Sequence, residues 1–140
     1  MREIAGNVYA DLIGAPFAWR GRDRTGFDCF GLVLEMFKRT GREMPEWDTP
    51  PDIQAVSGLV DAEFAQGRWV PCEREAGAMV LFYMPVLMGG RRVRATTHCG
   101  FMLKPTEFIH AWDQTGGVTV EHMHDWDRRI AGFYTFKGMA

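Results

Sequence analysis

The sequence predicts a single α+β domain over residues 1–140, with N-terminal helices packed on one side of a C-terminal antiparallel sheet. The length of 140 residues suits one domain, and 46% of the residues are apolar and 24% charged. The first half repeats apolar residues at helical spacing, whereas the part after Gly67 consists of short segments rich in β-branched and aromatic residues. Helices followed by strands are typical of an α+β domain.

Three helices are predicted in the first half of the chain. Residues 3–13 carry apolar side chains at helical spacing, and Gly14 ends that pattern. The second helix begins after Asp28, which is a good N-cap, and stops near Gly41. A third helix is expected over residues 52–66, after a proline-rich connection.

Six short strands are predicted in the second half, separated by turn residues. The pairs Gly89-Gly90 and Gly116-Gly117 fit hairpin turns, so the strands are expected to form an antiparallel meander. The strand segments are WVPC, AMVLFYM, RVRATTHCGFML, EFIHAW, VTVEHM and AGFYTF.

Charge and hydropathy argue against several kinds of partner. The formal net charge is −2, which gives no electrostatic reason to expect nucleic acid or an anionic membrane as a partner. No apolar run approaches the roughly 20 residues that a membrane-spanning helix needs, and residues 1–17 lack the apolar core of a secretory signal. Three cysteines, an odd number, favour reduced thiols over a disulfide framework. We therefore expect synthesis in the cytoplasm without a signal peptide.

Cys29 is a candidate nucleophile because it directly follows the predicted N-cap, Asp28. A thiol attacks as its thiolate, and the free N–H groups and dipole of the first helical turn favour negative charge at that place. A buried structural cysteine is the alternative, and the position alone favours neither. In that alternative, Asp28 is only a cap.

A cysteine nucleophile also needs a base, and two histidines lie on neighbouring predicted strands. His98 and His110 are joined by a short turn near residues 104–106, so antiparallel pairing can place them side by side on one face. One could then act as the base while the second orients its ring, as the third member of a triad does. Alternation places Cys99 on the opposite face from His98, in the core. Each histidine alone is more often a satisfied polar residue at a sheet edge.

The two remaining histidines offer a weaker possibility. His122 and His124 are spaced i, i+2, and with Cys72 or Cys99 they could in principle bind zinc. No CxxC or HExxH spacing supports a metal site, and a solvated turn fits better. We therefore expect neither a metal nor a cofactor.

Four segments carry a family pattern in chain order: PFAWRGRDRTGFDCFGLV, GAMVLF, THCGFML and FIHAW. They resemble the NlpC-type cysteine peptidases, papain-like enzymes of bacterial cell walls. The family pattern has an aromatic-Trp-Gly loop, Asp-Cys-Ser-Gly-Leu-Val at a helix start, Gly-Asp-Leu-Val-Phe and His-Val-Gly-Ile on strands, and a later Ile-His-Ala strand. The match covers nearly the whole chain, and its most specific part is the Asp-Cys-x-Gly-Leu-Val element with two correctly spaced histidines.

The resemblance implies a papain-like NlpC-type fold and a Cys-His-His triad. By position, Cys29 is the nucleophile, His98 the general base and His110 the residue that orients it. Such enzymes usually cut the γ-D-glutamyl–diaminopimelate bond of peptidoglycan stem peptides, so the resemblance implies that activity.

The implied substrate-binding residues are Phe17, Trp19, Asp28 and Phe30. This sequence departs from the family pattern at two of them, since Phe17 replaces a Tyr and Phe30 replaces the Ser after the nucleophile. Ala78 also replaces an Asp. Because the two phenylalanines remove hydroxyl groups, we expect a narrower and more apolar pocket that tolerates stem peptides whose first residue lacks a free amine.

The closing stretch WDRRIAGFYTF resembles the last strand of phage members of the family. A bare catalytic domain without a signal or wall-binding module resembles the peptidases of phage tails and tail-like particles, which carry the enzyme to the wall. The expected partners are peptidoglycan stem peptides and other tail or baseplate proteins. The alternative function is a structural tail-tip or assembly protein with little or no catalysis. A thiol acyltransferase or amidase on the same scaffold is a third possibility.

Overall fold

This computed structural model describes residues 3–137, which contain two α-helices and eight β-strands. The helices are α1 (Cys29–Arg39) and α2 (Ile53–Ala65). The strands are β1 (Arg22–Asp23), β2 (Gly26–Phe27), β3 (Trp69–Pro71), β4 (Met79–Met88), β5 (Arg91–Lys104), β6 (Glu107–Trp112), β7 (Gly117–His122) and β8 (Ile130–Phe136). No helix within these residues has the length and apolar character needed to cross a membrane.

Helix α1 begins and ends where the sequence predicts. The Asp28 side chain accepts a hydrogen bond from the Gly31 N–H at 2.8 Å, which satisfies one donor of the first turn. Gly41 follows the helix with a φ of 74°, a left-handed conformation that glycine adopts without strain. One face of the helix is apolar and buried in the core, and it consists of Leu32, Val33, Met36 and Phe37.

The predicted helix over residues 3–13 is wrong. The structure has two short 3-10 turns there, Gly6–Val8 and Ala10–Leu12, and no side chain caps either of them. The Ile4 N–H donates to the Leu103 carbonyl on β5 at 2.7 Å. The segment is therefore fixed by the sheet at its start and does not form the continuous backbone ladder of a helix.

The strands after α2 form one antiparallel sheet in the order β3-β8-β4-β5-β6-β7. The predicted meander is confirmed for β4 to β7, which are neighbours in chain order, but it is wrong for β8. This strand returns to lie between β3 and β4, where it covers the edge of β4 that β5 leaves open. Alternation within a segment does not specify which open edge a distant strand will cover.

The sheet has a different apolar layer on each face. The helices pack on one side, as predicted, where the side chains of α1 and α2 share a core with Leu81, Phe101 and Ile109. A smaller cluster covers the other face beneath a 3-10 helix, Met123–Arg129, and includes Val80, Phe82, Met102, Phe108 and Trp126. This second layer surrounds the two histidines described below.

Helix α1 passes close to the loop before it at Gly31. A β-carbon on Gly31 would lie 2.1 Å from the carbonyl oxygen of Gly21. We expect Gly31→Ala to push this loop away from the helix and to lower the free energy of unfolding by about 1–3 kcal/mol, measured by urea unfolding. Gly58→Ala is the matched control, because a β-carbon at Gly58 within α2 meets nothing within 4 Å. Equal effects of the two changes would contradict the close contact.

Candidate active site

A cavity of about 370 Å³ lies between the start of α1, α2 and the β4–β5 hairpin. Six of the seven site residues predicted from the sequence line it, namely Phe17, Trp19, Asp28, Cys29, Phe30 and His98. The rest of its wall comes from Thr49, from Ile53 and Val56 of α2, from Met84, Pro85, Val86 and Thr97 of the hairpin, and from Trp112, Asp113 and Gln114. The seventh residue, His110, lies behind His98.

Cys29 is the first residue of α1 and is 7% exposed. Its backbone N–H therefore belongs to the first helical turn, where donors have no partner within the helix. Cys99 is fully buried in the core on the helix side of the sheet, as alternation predicts. Burial raises the pKa of the Cys99 thiol well above its usual value, and a hydrogen bond with the neighbouring Cys29 adds to this rise.

A β-bulge explains how His98 reaches the cavity. Phe82 pairs with His98 and Tyr83 with Thr96, so Thr97 is an extra residue in β5. A bulge re-aims the side chains beside it, and the consecutive residues Thr97 and His98 both line the cavity. Cys29 and His98 thus meet at one cavity, and no hydrogen bond between them is found within residues 3–137.

The structure places the two predicted histidines side by side. Nε2 of His98 lies 2.7 Å from Nδ1 of His110, and the ring centroids are 5.0 Å apart. Burial lowers the pKa of His98 well below its usual value of 6.5, and the charges of His110 and Arg129 lower it further. Burial also lowers the pKa of His110, although Glu121 opposes that shift. Both rings are therefore neutral at pH 7.

The carboxylate of Asp28 is fully engaged by protein groups, although Asp28 lines the cavity. One oxygen accepts from the Arg22 guanidinium at 2.9 Å and from the Gly31 N–H at 2.8 Å. The other accepts from the Arg20 N–H at 2.9 Å and from the Thr49 hydroxyl at 2.5 Å. Asp28 is 1% exposed. Its negative charge is balanced by Arg22 and its oxygens hold the surrounding loops in place.

The three aromatic residues predicted to bind substrate form apolar walls. Phe30 is buried and packs edge-to-face against Trp47, with ring centroids 5.6 Å apart. Phe17 lies 6.5 Å from Trp19, measured between ring centroids. The Trp19 indole N–H donates to the Pro50 carbonyl at 2.9 Å, so this ring is tied to the loop that follows α1.

Sequence reasoning missed Glu121, which lies 2.5 Å from His110, and Arg22, which pairs with Asp28. Alternation could have indicated Glu121, because the turn at Gly116 sets the register in which His110 pairs with Thr119 and the residue two positions further on shares that face. The side chain of the adjacent His122 is 65% exposed and faces solvent. Within residues 3–137, no three potential ligand side chains are grouped to hold a metal ion.

The fold and the cavity define the class of this domain, which is papain-like: a cysteine at the start of a helix that packs on an antiparallel sheet carrying a histidine pair. The model of the NlpC/P60 family matches residues 14–134. The chain therefore belongs to the NlpC/P60 family.

Solved structures share the fold over most of the chain. The NlpC/p60 domain of the peptidoglycan hydrolase SagA matches with a TM-score of 0.55 and 21% identity, covering 92% of each chain. The P60 domain of an antigen from M. avium subspecies paratuberculosis matches with a TM-score of 0.57 and 22% identity, covering 96% of this chain and 92% of that one. An NlpC/P60 family protein from Bacillus cereus gives a TM-score of 0.59 at 17% identity, covering 96% of this chain and 41% of that one.

Curated relatives match over shorter stretches. Protein P54 of Enterococcus faecium is 39% identical over 41 residues, which are 29% of this chain and 8% of that protein. A probable endopeptidase of Mycobacterium bovis is 48% identical over 33 residues, which are 24% of this chain and 9% of that protein. The chain thus matches less than a tenth of the length of either relative.

The three thiols are expected to differ in reactivity. Burial and the nearby Glu75 and Glu73 raise the pKa of Cys72, and burial raises that of Cys99, so both are thiols at pH 7. We expect iodoacetamide at pH 7 to alkylate Cys29 first, measured by peptide mass spectrometry over time. Cys29→Ser should remove the fast phase. Equal rates at the three positions would contradict an activated Cys29.

The histidine pair predicts that acid destabilises the fold. Because His98 and His110 have lowered pKa values in the folded state, the unfolded chain binds more protons below the usual histidine pKa of 6.5. The free energy of unfolding should therefore fall as the pH drops below 6.5, by up to about 1.4 kcal/mol per histidine and pH unit. Glu121, whose pKa is lowered, shifts stability in the same direction at lower pH, and Arg129 disfavours protonation throughout. Urea unfolding at pH 7.5 and 5.5 checks this, and His98→Gln should reduce the drop. A stability independent of pH in this range would contradict it.

Proposed function

We propose that this chain is a cysteine peptidase that hydrolyses peptidoglycan stem peptides. The observation that carries the proposal is one cavity lined by Cys29 at the start of α1 and by His98, which is hydrogen-bonded to His110. Membership of the NlpC/P60 family supports it. So do two of the similar proteins, the probable endopeptidase of Mycobacterium bovis and the domain of the peptidoglycan hydrolase SagA.

In the proposed reaction, Cys29, His98 and His110 act as a triad. The thiol proton moves to His98, and the sulfur forms a bond to the amide carbonyl carbon of the substrate. The C–N bond then breaks, and the His98 imidazolium gives its proton to the leaving amine. Water attacks the resulting thioester, His98 accepts a proton from that water, and the proton returns to the sulfur as the carboxylic acid leaves. The Cys29 N–H at the start of α1 is available to the developing oxyanion.

The proposed scissile bond is the γ-D-glutamyl–diaminopimelate bond. The support is the family resemblance of the segments around Cys29, His98 and His110. A structural protein that keeps this fold without catalysis is the second candidate, which the replacement of the family's hydroxyl residues by Phe17 and Phe30 favours.

Digestion of purified peptidoglycan, followed by mass spectrometry of the fragments, tests the proposal. We expect fragments ending in free D-glutamate, with new amino groups on diaminopimelate. Cleavage between glycan and peptide would indicate an amidase, and peptides joined to added amines would indicate an acyltransferase. Undigested peptidoglycan would favour the structural protein.

We also propose that the protein acts as part of a phage tail or a tail-like particle, beside other tail or baseplate proteins. The support is the resemblance of WDRRIAGFYTF, which forms the end of the 3-10 helix and β8, to phage members of the family. An antibody against the purified chain should label the tails of particles purified from the source strain. Signal confined to the cell extract would overturn this placement.

A further inference from the structure

A row of hydrogen bonds runs from the cavity wall to β7. His98 bonds His110, and Nε2 of His110 lies 2.5 Å from Oε2 of Glu121. We propose that Glu121 is a positioning residue that fixes the tautomers of both histidines, so that Nδ1 of His98 carries the lone pair that receives the thiol proton. The inference rests on the proposed function, because it adds Glu121 as a positioning residue behind the proposed triad.

The sheet register places Glu121 beside His110. His110 pairs with Thr119, and Glu121 pairs with Phe108, so both bonded side chains project from the same face of β6 and β7. The second carboxylate oxygen, Oε1, accepts from the Trp126 indole N–H at 3.3 Å. Glu121 is thus held from two sides. The His110 ring donates or accepts according to its tautomer, whereas the Trp126 indole can only donate.

The charge of Glu121 determines the direction of the hydrogen bonds. The bond with His110 lowers the pKa of Glu121, so the side chain is a carboxylate at pH 7 and can only accept. Nε2 of His110 must therefore carry the proton, and its Nδ1 must accept. His98 then donates from Nε2, which leaves its Nδ1 unprotonated.

Burial keeps water from the bond between the two histidines. His110 is fully buried and His98 is 5% exposed. The ring of Trp126 stacks on His98 at a centroid distance of 5.8 Å and meets His110 edge-on at 5.1 Å. Because water is kept from the facing nitrogens of the two rings, the carboxylate of Glu121 selects which ring donates in the bond between them.

Glu121→Gln should invert the row of bonds. The indole N–H of Trp126 will hold the carboxamide oxygen, because it can only donate, and this turns the amide NH₂ toward His110. His110 must then accept at Nε2 and donate from Nδ1, His98 accepts at Nε2, and its Nδ1 becomes protonated. In serine-protease triads, an equivalent acid-to-amide change costs about 10⁴-fold in kcat through the wrong tautomer.

We expect Glu121→Gln to lower kcat for peptidoglycan fragments at least about 10²-fold. The expected loss is smaller than in those triads, because Glu121 lies one hydrogen bond further from the nucleophile. KM should not change, because Glu121 does not line the cavity. Glu121→Ala should lose less activity than Glu121→Gln, since it frees the tautomers without inverting them. A purely structural role predicts the opposite order, because Gln preserves the packing better than Ala.

Glu107→Gln is the matched control. Glu107 contacts a histidine, His122, across the same two strands, and its side chain is 27% exposed, as is that of Glu121. His122 does not line the cavity, so this variant should retain wild-type kcat.

Nitrogen NMR of the imidazole rings reads the tautomers without any substrate. In the wild-type protein at pH 7, Nδ1 of His98 and Nδ1 of His110 should give the signals of unprotonated nitrogen, and Glu121→Gln should move those signals to both Nε2 atoms. Unchanged signals in that variant, or a protonated Nδ1 of His98 in the wild type, would overturn the inference. If the wild-type protein cuts no peptidoglycan, the proposed function fails while the NMR result still decides the role of Glu121.

Discussion

Replacing Cys29 by alanine is expected to reduce peptidoglycan hydrolysis to background, a loss of at least about 10³-fold, because covalent catalysis ends when the sulfur is removed. Cys29 is small and lies at the cavity wall, so the variant should fold and keep its affinity for stem peptides. Release of fragments from purified peptidoglycan measures the loss, and circular dichroism checks the fold.

Cys72→Ala is the control for this experiment. Cys72 is half-buried beside the smaller apolar cluster and does not line the cavity. Its removal should leave the hydrolysis rate within about twofold of wild type, because surface changes away from the site have small effects. Hydrolysis that persists in Cys29→Ala and fails in Cys72→Ala would show that Cys29 is not the nucleophile.

Stem peptides with a blocked first amine are expected to be hydrolysed faster than those with a free amine, by about 10²-fold or more. A protonated amine needs an acceptor when it leaves water, and burying it without one costs several kcal/mol. Asp28, one of the two acidic residues of the cavity wall with Asp113, is already neutralised by Arg22 at 2.9 Å. Phe30 presents a phenyl ring where the family has a hydroxyl group.

Comparison of kcat/KM for the N-acetylated and the free-amine forms of one peptide measures this preference. Phe30→Ser should narrow the ratio. Phe17→Tyr should also lower the ratio of kcat/KM for the N-acetylated peptide to that for the free-amine peptide. This variant should perturb the fold less than Phe30→Ser, because it adds a hydroxyl group and removes no packing. Faster hydrolysis of the free-amine peptide by the wild-type protein would contradict an apolar pocket.

The helix cap, the alternation of strand residues and the turn between β5 and β6 predicted the places of Cys29, His98 and His110 in the site. The cap at Asp28 fixes where α1 begins, and this in turn fixes the place of Cys29 in the first turn. Strand alternation separates His98 from Cys99, and a short turn brings His110 next to His98. Each of these features depends on residues at most twelve positions apart along the chain.

Features that depend on distant contacts were not predictable in the same way. The segment at residues 3–13 has a helical apolar pattern, but its bond to Leu103 on β5 prevails over that pattern. The contacts of Asp28 require Arg22 of β1 and Thr49 of the loop after α1, which the fold brings together. Glu121 differs from these two cases, because the turn at Gly116 sets the register of β6 and β7 and alternation then places Glu121 beside His110.

The place of β8 between β3 and β4 has a consequence for synthesis on the ribosome. Strands β4 to β7 can pair in the order in which they emerge, and α1 can dock on β5 at that stage. The sheet cannot be completed, however, until residues 130–136 have left the ribosome, because β8 pairs with both Trp69–Pro71 and Met79–Phe82. Such contacts between distant parts of a chain form slowly. A nascent chain therefore carries its cysteine and histidines on a sheet that still lacks β8.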